Sequence, residues 1–133
     1  MADGTTAVRY LLAHDASLLA TVPITRIISG ILPQGTALPA IHVQHVSTVR
    51  RTTTRASDDK FATTRVQVTV MAGDPATRDA TLALVRAAVT RTPGTVDSCK
   101  VDSILIDIEG PDLDTPGEGI YSRSQDFRVH WNE

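Results

Sequence analysis

His42 and His45 stand three residues apart in "AIHVQHV" and offer two imidazoles of the kind that ligate metals. The residues around them alternate apolar and polar, as a strand does, and an odd spacing on a strand sends two side chains to opposite faces. Exposed polar alternation is therefore the reading, not a metal pair. His14 and His130 have no Cys or carboxylate at ligand spacing. Cys99 is the only cysteine, which excludes an internal disulfide and a cysteine-built metal site; it reads as a small packing residue at the start of a strand. Asp112, Asp114 and Glu118 suggest a cation loop, but the residue order of a calcium-binding helix-loop-helix is absent, and a solvated acidic loop is expected. Gly117 and Gly119 fall between strands instead of before a helix, so they build no phosphate cradle. Serines occur without a nucleophile elbow. No catalytic, cofactor-binding or metal-binding residue is assigned.

With 133 residues the chain fits a single domain, 1–133, long enough for a real core. Thirteen basic and 15 acidic side chains nearly cancel, and a pI near 6.0 argues against a general polyanion binder. The distribution is uneven. Residues 1–96 hold ten basic and six acidic side chains, and residues 97–133 hold three basic and nine acidic. Only Lys60 and Lys100 are lysines, so the positive charge sits almost wholly on guanidinium forks suited to carboxylates. The N-terminus has no basic region ahead of an apolar run, and no segment approaches about 18 apolar residues, so neither secretion nor membrane spanning is expected, and synthesis in the cytosol is.

The elements follow from periodicity. Val8, Leu11, Leu12, Leu18 and Leu19 recur at helical spacing and predict one helix over Thr5 to Ala20, capped by Thr5 or Asp3 and stopped by Pro23. Ile24 to Ile28 reads as a short strand. Leu32-Pro33-Gln34-Gly35 suits a type I turn, and Pro39 suits the first position of the next strand. There Ile41 and Val43 alternate with His42 and Gln44, whereas Val46 and Val49 fall out of step, which predicts a bulge near His45. Val66, Val68 and Val70 share one face of a further strand, opposite Arg65, Gln67 and Thr69. The polar stretch Arg50 to Phe61 between these strands reads as a flexible, projecting loop. Asp74 as N-cap, Pro75 at the first position and Pro93-Gly94 at the end bracket a second helix, whose buried stripe is Leu82, Val85, Ala88 and Val89. Ile104, Ile106 and Ile108 mark another strand. Tyr121, Phe127, Val129 and Trp131 mark one face of the last, with the acidic loop Glu109 to Gly119 between the two. The order argues for an α+β fold, an antiparallel β-sheet with two α-helices packed on one face.

Four stretches in this order and spacing, "AVRYLLAHDASL", "ILPQGTALPAIHV", "VQVTVMAGDPATRDATLALVRAAV" and "GIYSRSQDFRVHW", resemble the tail completion, or tail terminator, proteins of long-tailed phages and related phage-like particles. They span Ala7 to Trp131. The resemblance implies a non-enzymatic virion protein without cofactors, made in the host bacterial cytoplasm and located at the head-proximal end of the tail. There a hexameric homo-oligomeric ring caps the tube, terminates its polymerisation and provides the surface for head-tail joining. Implied partners are further copies of the chain, the major tail tube protein and the head-tail connector or stopper. DNA passes through such a ring without sequence-specific binding.

A long arginine-bearing loop and an acidic opposite end suit a contact in which different patches meet and rotation closes a ring. The interface residues expected on this basis are Arg50, Arg51, Arg55 and Lys60 against Asp112, Asp114 and Glu118. Two alternatives stay open: a head-completion or connector protein of the same phage module, and a ligand-binding α+β regulatory domain with a polar pocket at its helix-sheet margin. A hydrolase is a weaker alternative, since no paired acids or His-nucleophile arrangement stands near the loops.

Overall fold

The computed structural model describes residues 3–29, 37–50, 61–89, 94–96, 99–114 and 116–132. The turn expected at Leu32 to Gly35, and Arg51, Arg55 and Lys60 of the projecting loop, lie outside the described residues.

The N-terminal helical segment is two helices, α1 (Gly4–Ala13) and α2 (Ala16–Leu19), where one was expected. The break has a local cause. Asp15 turns its carboxylate onto the backbone N–H of Leu18 at 3.0 Å and caps a new helix, so the chain bends and carries Leu18 into the core. Asp3 caps α1 by accepting from the Thr6 N–H at 3.0 Å. After a 3-10 turn at Ile24–Arg26 come β1 (Ile27–Ser29), β2 (Ala40–Arg50) and β3 (Phe61–Ala72). Helix α3 (Pro75–Val89) follows, opened by Asp74, which accepts from both the N–H and the hydroxyl of Thr77. The remaining strands are β4 (Gly94–Val96), β5 (Cys99–Glu109) and β6 (Tyr121–Asn132).

Among the described residues the strands form a six-stranded sheet in the order β1-β2-β3-β6-β5-β4. The α+β plan expected from the sequence is the one adopted. Every strand pair is antiparallel except β1 with β2, which is parallel and makes the sheet mixed at that edge. The expected bulge is present. The β2–β3 register shifts between His45 and Ser47, leaving Val46 as the extra residue.

The two faces differ as the β3 alternation requires. Val66, Val68 and Val70 are buried with Phe127, Val129 and Trp131, and α1 and α3 cover them through Val8, Leu12, Leu82 and Val85. On the other face Arg65 donates to Asp126 Oδ2 at 2.9 and 2.6 Å, Arg128 reaches Asp107 at 3.0 Å and Gln67 donates to Ser124. The Trp131 indole N–H donates to Thr64 Oγ1 at 2.8 Å; Thr64 meets Thr48 at 3.0 Å, and Thr48 meets His45 Nε2 at 2.7 Å.

Helix α1 begins close against the sheet. A Cβ on Gly4 would stand 2.7 Å from Thr64 Cβ and 3.0 Å from Val129 Cβ, and both neighbours are stiff β-branched strand side chains. Gly4→Ala is therefore expected to lower stability by about 1–3 kcal/mol by overpacking, despite the better helix propensity of alanine. Urea unfolding with an unchanged slope and a lower midpoint is the result to look for.

Candidate assembly surface

The acidic loop after β5 is exposed, as expected of a solvated loop, and it is also fastened to the body of the molecule. Gly110 N–H donates to Ser124 O at 2.7 Å and Leu113 N–H to Ser122 O at 2.9 Å, so the loop continues alongside β6. Its carboxylates turn toward arginines of the same chain. The Arg78 guanidinium, on the first turns of α3 and nearly fully buried, donates to Asp114 Oδ1 at 3.0 Å and Asp79 Oδ1 at 3.1 Å, and lies 3.5 Å from Asp112. Arg123 of β6 donates to Asp112 and lies 3.2 Å from Asp79 and 3.7 Å from Glu109. Arg86 reaches Glu109 at 3.3 Å.

Burial works against the charge of Arg78, but the hydrogen bond to Asp79 and the field of Asp112 outweigh it and hold its pKa above the usual value. The hydrogen bond from Arg123, joined by the charges of Arg123 and Arg78, holds the Asp112 carboxyl below its ordinary range. Asp112 and Asp114 thus close a network within the chain while staying in contact with solvent. Glu118, in the 3-10 turn Pro116–Glu118, is exposed, and Arg50 is exposed at the end of β2 on the other side of the sheet. The structure brings Asp112 and Asp114 together and does not bring them to Arg50.

Exposed apolar side chains form a feature that the sequence reading did not single out as a surface. Leu105, Ile106 and Ile108 of β5 are 53%, 52% and 56% exposed, Leu113 follows them in the loop, and Val46 and Val49 of β2 are exposed at the opposite edge. The signal was available: Ile104-Leu105-Ile106 is apolar on both faces of a strand, which suits either a strand covered on both sides or one that meets a partner. A cavity of about 330 Å³ is lined by Phe61, Ala62, Thr63, Asp102, His130 and Trp131, all from strands. Among the described residues no three His, Cys, Asp or Glu side chains gather as a metal-holding group, and no helix is long and apolar enough to cross a membrane.

The family model of the tail completion protein gp17 matches residues 6–130. The chain belongs to that family. It is a structural protein of the virion tail. No curated protein matches the chain by sequence. Among solved structures, a chain from the virion of a native gene transfer agent particle superposes with a TM-score of 0.71 at 17% identity, covering 98% of this chain and 95% of that one. At that identity the shared property is the fold, and it extends over the whole domain.

The Asp112 network sets an acid limit on stability. Its native pKa lies below the unfolded value of about 3.9, so its contribution is complete above that pH and is lost as pH falls through the native pKa. Asp112→Asn is expected to be less stable than the parent at neutral pH and to converge with it in acid. Denaturant unfolding across pH checks this, and a gap that stays constant into acid would remove the role.

Proposed function

We propose that this tail completion protein forms a hexameric ring on the head-proximal end of the tail tube, ends tube polymerisation there, and offers its outer surface to the head-tail connector. The observation that carries the reading is the family match across residues 6–130, nearly the full chain. The protein acts by binding, without catalysis or cofactor, and DNA passes through the ring without sequence-specific contact. A growing tube recruits each new ring through the contacts that hold the earlier ones. A cap satisfies those contacts on one side and presents a different surface on the other.

The basic stretch of Arg50, Arg51, Arg55 and Lys60 is assigned to a neighbouring subunit or the tube. With Asp112 and Asp114 held by Arg78 and Arg123, the acids it meets are Glu118 of the next subunit or carboxylates of the tube protein. Exposed pairs contribute about 0.2–1 kcal/mol each, so the triple change Arg50→Glu, Arg51→Glu and Arg55→Glu is the informative variant. It is expected to weaken assembly on tubes at low salt while thermal unfolding stays unchanged; assembly equal to the parent's at both low and high salt would remove the assignment.

The decisive experiment is deletion of the gene. Filled heads separate from tails, with tails of uncontrolled length, are expected by electron microscopy. Normal tails joined to heads would overturn the reading.

A further inference from the structure

Among the described residues both edges of the sheet are only half covered by strands. β1 pairs with residues 41–43 of β2, so residues 44–50 have no strand on their outer side among the described residues. β4 pairs with residues 99–101 of β5 and leaves 103–109 in the same condition. Following the registers across the sheet places Val49, Thr63, His130 and Ser103 in one row, and Val43, Val68, Gln125 and Glu109 in another. The two uncovered stretches therefore occupy the same rows on opposite sides of the molecule. Three antiparallel steps separate them, so they run in opposite directions.

Their chemistry is complementary. Residues 103–109 expose Leu105, Ile106 and Ile108 and carry two acids and no base; residues 44–50 expose Val46 and Val49 and carry Arg50 and no acid. Two β5 edges facing each other would set Asp107 and Glu109 against their like, which disfavours a symmetric pair. We propose that the free stretch of β5 in one copy adds antiparallel to the free stretch of β2 in the next copy, head to tail, so that sheet edges close the ring. This rests on the ring reading and names its contact. The outward backbone groups of these two stretches, which meet no other described strand, form the ladder and the apolar side chains pack beside it. Asp107 and Glu109 are already held by Arg128 and Arg86, so charge selects the partner edge and apolar burial holds it. β1 and β4 confine the pairing to the open rows.

Ser47 and Leu105 share a row, through Arg65 and Arg128, and both are exposed. Full-length S47C and L105C proteins, mixed at high concentration and also co-produced in tails purified from cells, would be treated with a short bis-maleimide. Cys99 does not compete: it is buried, and burial pushes its thiol up to about 11. Links between S47C and L105C copies are expected, and these links are lost when Ile106→Lys and Ile108→Lys are added with thermal unfolding unchanged. Should the lysine variant unfold, the mixing experiment still decides. Links within L105C alone, or no mixed links in either preparation, would overturn the edge contact. Tails of normal length from a ring without edge links would sink this inference and leave the capping reading standing. Edge links with tails of uncontrolled length would do the reverse.

Discussion

A slip of one residue between β3 and β6 would carry Phe127, Val129 and Trp131 from the helix-covered face to the polar one and expose the valines they pack with. That pairing runs the length of both strands without a break, from Phe61 opposite Asn132 to Ala72 opposite Tyr121. It sets Val66 beside Phe127 and Thr64 beside Val129, and it equally sets Gln67 beside Asp126 and Arg65 beside Arg128 on the other side. One register therefore fixes the apolar core and the charged face together. The irregularities are kept to the outer pairs, where β2 bulges at Val46 and β5 shifts register twice.

Where the chain repeats with a clear period, its fold was legible. The β3 alternation, the Asp74 opening of α3 and the bulge near His45 all stand where the pattern puts them, because each is set by neighbours within a few residues. The split of the first helix was not legible from apolar spacing alone. Leu11, Leu12, Leu18 and Leu19 keep helical phase, yet the Asp15 side chain offers the backbone a better partner than a continued helix does. The parallel pairing of β1 was hidden for another reason: a strand of three residues has too short a pattern to show its direction.

The surface was legible in composition and not in arrangement. Charge counts divide the chain into a basic part and an acidic part, which suggests two facing patches on different molecules. Folding brings arginines of α3 and β6 onto the acidic loop, and Arg78 is deep enough that its carboxylates cannot be dispensed with. Separation along the sequence thus says little about separation in space. The apolar run in β5 carried the opposite hint. Its residues read as core from their type, and their position at a half-covered edge is a matter of which strands pair, a long-range property.

Trp131 is the single tryptophan of the chain, and it is buried with its indole N–H on Thr64. Two hydroxyls connect that indole to His45, which sits at the bulge of an edge strand. The molecule consequently carries one indole fluorophore, excitable apart from its two tyrosines, wired to its rim: a shift of the bulge that breaks this chain alters the hydrogen bonding around the indole, and with it the emission. Events at the edge of this sheet have a built-in optical readout that needs no label.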